Sequence, residues 1–263
     1  MKGQLGHRSG RCADLDQVTA LALLNYGHYT SMRVDDQRVR GLTLHLERLT
    51  RDCRRIFDAD LDPDRVRHLL RHTLADTAGS VLVRVTVFDP DLELGCPGAD
   101  AAPQLLVTTR PAATAPLPPL RLQSTPHCRE LPEVKHVGLF GALRWRRVAQ
   151  RNGFDDALFT AGTAISEAAT SNIGFVDGER IVWPEADCLA GVTMRLINKA
   201  RQADATTTPV TLSDLAGVDA VFATNAVVGV RSVSAVDGIQ WSDEHPVLDI
   251  LRRQYADIRP ELL

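Results

Sequence analysis

The chain has 263 residues, 44% of them hydrophobic and 24% charged, a globular composition long enough to bury the core of one large domain or two modest ones. A formal net charge of -3 leaves no basic footprint for nucleic acid, and no apolar run is long enough to span a bilayer. The five cysteines (Cys12, Cys53, Cys96, Cys128, Cys188) are scattered and form no Cys-x-x-Cys pair, so no metal site and no disulfide framework is expected. The polar stretch Met1 to Arg11 lacks the apolar core of a signal peptide, and together these features point to a cytoplasmic protein with free thiols.

In chain order, residues 1–20 carry little pattern beyond a short edge strand. Asn25 to Val34 mixes aromatic and β-branched residues and predicts a strand, with Asp35-Asp36 as a turn. From Leu42 the apolar residues Leu46, Leu49, Cys53, Ile56 and Phe57 recur at steps of three and four, the spacing of one helical face. Asp62-Pro63 opens a second helix as N-cap and first-turn proline, with Val66, Leu69, Leu70 and Leu74 inward. Val81 to Phe88 alternates as a strand, and a further strand is expected near Leu105 to Thr109. Pro111 to Pro119 holds four prolines and three alanines in nine residues and reads as a semi-rigid linker. The domains expected are therefore 1–110 and 121–263, joined by a linker at 111–120.

The second domain opens with a strand near Arg121 to Ser124. A helix over Val137 to Gln150 follows, with Leu139, Phe140, Leu143 and Val148 as its apolar positions and Asn152-Gly153 as its stop. Ala157 to Thr160 is a strand. Ile173 to Val176 and Arg180 to Trp183 flank Asp177-Gly178 as a hairpin. A helix over Thr193 to Ala203, strands at Ala220 to Ala223 and Val227 to Val233, and a closing helix over Val247 to Tyr255 complete the chain. Arginine clusters at Arg51, Arg54 and Arg55, and at Arg144, Arg146 and Arg147, have the spacing of solvated helix faces.

Several residues stand out by order and spacing. Lys135 follows Leu131-Pro132-Glu133-Val134 directly before a helix, although a lysine taken alone reads as a hydrated surface charge. Glu167, in Ile165-Ser166-Glu167 ahead of Ser171-Asn172-Ile173, reads alone as a turn glutamate. Leu189-Ala190-Gly191-Val192-Thr193 runs into a helix whose free N-terminal amides suit an anion. Arg48, in His45-Leu46-Glu47-Arg48, can bind two anion oxygens at once or form a helix-surface ion pair with Glu47 or Asp52. Thr224-Asn225-Ala226 closes a predicted strand.

In this order the five motifs resemble the class IV aminotransferases, the fold-type IV enzymes that use pyridoxal 5'-phosphate (PLP). That family includes branched-chain and D-amino-acid aminotransferases and aminodeoxychorismate lyase. The resemblance implies an α/β (α+β) fold, with a small N-terminal α/β domain, a larger barrel-like C-terminal domain with helices, and PLP in the cleft. It implies that Lys135 holds PLP as a Schiff base and shuttles a proton, with Glu167 as partner of the pyridine nitrogen. Arg48, Val192, Thr193, Thr224, Asn225 and Ala226 would hold the phosphate, with Asn172 beside them.

It further implies an amino donor, a 2-oxo acid acceptor and a homodimer that uses Val137 to Phe140. Where many relatives carry a tyrosine five residues after the lysine, this chain has Phe140. The usual Arg-Gly pair after the strand is replaced by Phe88-Asp89-Pro90. The substrate carboxylate is therefore open to His28, Arg33 or Arg84. The lyase, which releases pyruvate and 4-aminobenzoate, is the alternative activity, and a non-catalytic binding module is the alternative outside catalysis.

Overall fold

The computed structural model describes residues 7, 8, 11, 12, 14–113, 116–201 and 204–263. The first elements are β1 (His7–Arg8), β2 (Arg11–Cys12), α1 (Leu15–Leu24), β3 (His28–Asp35), β4 (Arg38–Val39), α2 (Leu42–Phe57) and α3 (Pro63–Thr73). They are followed by β5 (Ser80–Phe88), β6 (Gln104–Pro111), β7 (Leu120–Pro126), α4 (Phe140–Arg151), β8 (Asp156–Ala161), β9 (Ala164–Ala168), β10 (Asn172–Asp177) and β11 (Arg180–Pro184). The last are α5 (Val192–Arg201), β12 (Ala205–Thr208), a 3-10 helix (Leu212–Gly217), β13 (Ala220–Asn225), β14 (Gly229–Val236), β15 (Ile239–Gln240), α6 (Pro246–Asp257) and β16 (Glu261–Leu262).

The chain forms two compact units. The first is Met1–Thr114, Val134–Gly138 and Pro260–Leu263; the second is Ala115–Glu133 and Leu139–Arg259. Relative to the expected domains 1–110 and 121–263, two short segments group with the first unit, and one of them contains Lys135.

The first unit is an antiparallel sheet in the order β16-β4-β3-β5-β6-β1-β2. β3 and β5 pair along their length from His28↔Val87 to Asp35↔Ser80. Because side chains alternate across a strand, Met32, Val34, Val83, Val85, Val87, Leu105 and Val107 share one face. They pack there with Leu42, Leu46 and Leu49 of α2 and Val66, Leu69 and Leu70 of α3. The opposite register positions hold Tyr29, Ser31, Arg33, Leu82, Arg84 and Thr86. Asp62 caps α3 by accepting from the Asp64 N–H at 2.9 Å, with Pro63 in the first turn as the sequence predicts. The Asp36-Gln37 turn takes left-handed φ values of 45° and 63°, which suits the tight return into β4. α1 was not expected: its residues carry no turn signal and none of them is buried.

The second unit is a mixed sheet in the order β12-β11-β10-β13-β14-β7-β8-β9, with β15 on β14. β7 and β8 are parallel neighbours, so a crossover must join them, and α4 is part of that crossover. The Asp177-Gly178 signal closes a hairpin in which Asp177 pairs with Arg180. α4 starts at Phe140, three residues later than the pattern suggests, and two of its apolar positions point out. Phe140 is 78% exposed and Leu143 54%, while Ala149 is buried and packs, with Ala142 and Trp145, on Ala157 and Phe159. Small alanines let the helix approach β8 closely, and that outweighs the larger apolar residues on its other side. Sheets and helices combine in both units, the mixed α/β architecture that the sequence leads one to expect.

Candidate active-site residues

In the first unit, Lys135 is half-buried in a segment hydrogen-bonded along the first residues of β3. The Tyr29 N–H donates to the Lys135 carbonyl at 2.8 Å, and the Val137 N–H donates to the Gly27 carbonyl at 2.9 Å. The Lys135 N–H donates to Asp52 Oδ2 at 3.1 Å. Its Nζ lies 5.0 Å from the centre of the Tyr29 ring, on which the Arg84 guanidinium also stacks at 3.6 Å. Gly27 is required beside it: φ is 153°, and a Cβ would stand 2.5 Å from the Val87 carbonyl oxygen.

Arg48 does not lie on the helix surface. It is buried on α2, and its Nη2 donates to Thr30 Oγ1 at 2.6 Å. The hydroxyl has one proton, so it donates to His45 Nδ1 at 2.6 Å, and His45 carries its own proton on Nε2. That Nε2, and both ring nitrogens of His28, are buried with no hydrogen-bond partner. Burial first and the Arg48 charge second push the His28 pKa down to about 3, with Arg51 adding a third push; His45 is pushed well below its ordinary value by burial, Arg48 and Lys135. Both imidazoles are neutral at physiological pH.

In the second unit, Glu167 is buried on β9. Its Oε1 accepts from Arg129 Nη1 at 3.0 Å, and its Oε2 accepts from the Leu189 N–H at 3.4 Å. Asn172 Nδ2 donates to the Leu189 carbonyl at 2.6 Å, so one residue's backbone is gripped from both ends by the Glu167 and Asn172 side chains. Gly191 passes so close that a Cβ there would meet Asn172 Oδ1 at 2.1 Å.

The chain then enters α5, where Val192 and Thr193 are buried in the first turn. Asn172 is also the cross-strand partner of Thr224 on β13. The hydroxyls of Thr193 and Thr224 are both buried with no hydrogen-bond partner. Unmet buried hydroxyls beside a helix N-terminus suit an anion such as a phosphate, so these residues fit the cofactor that the sequence motifs imply. The Asn225 side chain is already engaged: its Oδ1 accepts from the Val227 and Val228 N–H groups at 3.0 and 2.9 Å, and its Nδ2 donates to Ser171 Oγ at 3.0 Å. It shapes the turn through Ala226.

The first unit thus groups Lys135, Arg48, His28 and Arg84, and the second groups Glu167, Asn172, Val192, Thr193, Thr224, Asn225 and Ala226. Arg33 stands apart from His28, at the other end of β3, where its Nε donates to Asp35 at 2.8 Å and its Nη2 to Ser80 Oγ at 2.9 Å. Sequence reasoning gave no role to Arg129, Tyr29 or Thr30, and considered Asp52 only as a surface partner of Arg48. Burial in the second unit, with Glu167 as the next cause, pushes the Cys188 thiol up to about 11, which leaves it protonated and inert. Among the described residues no cluster of His, Cys, Asp or Glu could hold a metal. No helix among them is long and apolar enough to cross a membrane.

Comparison with solved structures finds the same fold in several proteins. A proposed 4-amino-4-deoxychorismate lyase from Legionella pneumophila is 24% identical, with a TM-score of 0.78 over 91% of this chain and 93% of its own. The branched-chain aminotransferase from the thermophilic archaeon Thermoproteus uzoniensis, solved with norvaline, is 17% identical, with a TM-score of 0.84 over 97% of this chain and 94% of its own. An aminotransferase from Brucella abortus bound to PLP is 19% identical, with a TM-score of 0.84 over 97% and 99%. A comparison with curated proteins returned no match. The family model for amino-transferase class IV matches residues 27–236, which takes in every motif described above, and the chain belongs to the class IV aminotransferase family.

Proposed function

We propose that the protein is a PLP-dependent aminotransferase that moves an amino group between an amino acid or amine and a 2-oxo acid. The observation that carries this reading is the pair of buried, unpartnered hydroxyls of Thr193 and Thr224, joined through Asn172 to the turn that Glu167 also holds. When bound, PLP supplies an electron sink for the carbanion left at the substrate α-carbon.

The residues of this chain do the rest. Lys135 Nζ would hold the cofactor and, once the substrate amine has displaced it, would be free to take up and hand back the proton that leaves the substrate α-carbon. The Glu167 carboxylate holds a proton at the pyridine nitrogen. Arg48 pairs with the phosphate, and the hydroxyls of Thr193 and Thr224 and the amides of Val192 and Thr193 donate to it. Asn172 fixes the turn that presents those donors, and Asn225 and Ala226 form the second turn. Arg84, stacked on Tyr29 beside Lys135, is the cation best placed to take the substrate carboxylate, and His28 and Arg33 are less so. A cytoplasmic homodimer completes the reading.

One observation favours a second reading. Phe140 offers no phenol, and its ring is exposed, so the usual contact to the cofactor's phenolic oxygen is missing. Aminodeoxychorismate lyase, which eliminates pyruvate and leaves 4-aminobenzoate, is the activity consistent with that loss. A non-catalytic binding module has no need to keep both Lys135 and Glu167.

A single-turnover experiment separates the two activities. Holoenzyme given an amino donor alone should release one equivalent of 2-oxo acid and stop, and added 2-oxo acid should restart it. Failure of every donor, together with release of pyruvate and 4-aminobenzoate from aminodeoxychorismate without any oxo acid, would establish the lyase instead.

A further inference from the structure

We infer that Asp52 is the positioning residue of Lys135, holding its backbone so that the reactive amine is presented from a fixed point. The inference rests on the proposed role of Lys135. Asp52 is completely buried, and its two carboxylate oxygens have separate duties. Oδ1 accepts from Arg51 Nε and Nη2 at 3.0 and 2.6 Å, and Oδ2 accepts from the Lys135 N–H at 3.1 Å. The Lys135 carbonyl is held on the opposite side by the Tyr29 N–H. Both peptide groups of Lys135 are therefore tied to rigid elements, one to α2 and one to β3, although the residue lies in a loop.

Asp52 also sits one helical turn beyond Arg48. One helix thus carries the arginine proposed for the phosphate and the carboxylate that pins the lysine, and sets the spacing between them. A lysine that must reach two carbons in succession needs its Cα fixed, because displacement of a reacting group by about 1 Å can cost on the order of a hundredfold in rate. A charged acceptor suits this duty better than a neutral one, since it makes the shorter and stronger hydrogen bond. The Arg51 fork supplies the compensating charge that a fully buried carboxylate requires.

The test compares wild-type protein with Asp52→Ala and Asp52→Asn. Asparagine can still accept the Lys135 N–H, and Arg51, half exposed, can turn away from its amide. Three readouts are needed: the rate of borohydride fixation of PLP to the Lys135 peptide, the Kd for pyridoxamine 5'-phosphate, and amide hydrogen exchange at Lys135 in the cofactor-free protein. Pyridoxamine phosphate uses the phosphate contacts without bonding to the lysine, so it reports a general collapse of the binding residues. Asp52→Ala should slow fixation by about tenfold to a hundredfold. It should leave the Kd within about threefold and release the Lys135 amide to fast exchange, whereas Asp52→Asn should stay close to wild type.

Fixation in Asp52→Ala at the wild-type rate, or an Asp52→Asn loss as large as that of the alanine variant, would overturn the inference. If the alanine variant does not fold, Asp52→Asn is read against the wild type: a Lys135 amide that stays slow to exchange, with fixation near the wild-type rate, supports the inference, and fast exchange with fixation slowed about tenfold or more overturns it. A wild-type protein that fixes no PLP on Lys135 would overturn the underlying functional reading and this inference with it.

Discussion

His28 and His45 show how a buried residue turns into a measurable pH dependence. Folded His28 titrates at about 3 because burial and the charge of Arg48 disfavour its cation, against about 6.5 in an unfolded chain. Below pH 6.5 the unfolded state therefore binds a proton that the folded state refuses. The stability contribution is complete above 6.5 and is lost as pH falls toward 3, at up to about 1.4 kcal/mol per pH unit for one such group. His45 acts in the same direction. Melting temperatures measured between pH 7.5 and 4.5 should fall steadily, and His28→Leu should flatten that slope; an unchanged slope would show that His28 is not the group responsible.

At the same scale, Arg48→Ala removes one charge-assisted contact of about 1.5–3 kcal/mol, so PLP should bind roughly tenfold to a hundredfold more weakly in equilibrium dialysis. Glu167→Gln should keep PLP bound but slow proton removal from the donor, and normal turnover in that variant would remove Glu167 from the pyridine nitrogen. Lys135 and Glu167 could be picked out as candidates because order and spacing mark them in the sequence. Arg129 and Asp52 could not, because what marks them is a tertiary contact, to Glu167 and to the Lys135 amide respectively, that no local pattern encodes.

At the scale of elements, the turn from Leu189 to Gly191 is held by side chains from two strands, β9 and β10. Gly191→Ala would drive a methyl group into Asn172 Oδ1 and force that side chain off the Leu189 carbonyl. Overpacking of this kind costs about 1–3 kcal/mol, and losing the bond also misplaces the first turn of α5. Both a lower melting temperature and a weaker pyridoxamine phosphate Kd are expected; a variant that binds and melts like the wild type would show the turn to be slack.

Elements with a strong period, such as α2 and β5, could be read directly from the sequence. α3 was clear as well, because Asp62-Pro63 is a local start signal with its own geometry. The packed face of α4 could not be read from the sequence, because the close approach to β8 selects the small Ala142 and Ala149 rather than the larger Phe140 and Leu143. The short strands β12 and β15 exist only through pairing with longer neighbours, and two to four residues carry no period of their own.

For the whole molecule, the family's order of motifs was visible along most of the chain. The grouping of Lys135 with the first unit was not, because it depends on backbone hydrogen bonds to β3 from a segment far away in the sequence. Of the Val137 to Phe140 segment expected to serve a homodimer, Phe140 is exposed and Val137 buried; light scattering across a concentration series should give twice the chain mass. A strict monomer with full activity would exclude a shared site.

The central claim is that Lys135 carries PLP, and it is tested most directly by borohydride reduction of the purified, PLP-loaded protein followed by peptide mapping. The account predicts a stable pyridoxyl adduct on the peptide that contains Lys135, and no adduct in Lys135→Ala. A protein that takes up no PLP, or an adduct mapped to exposed Lys199 instead, would contradict it.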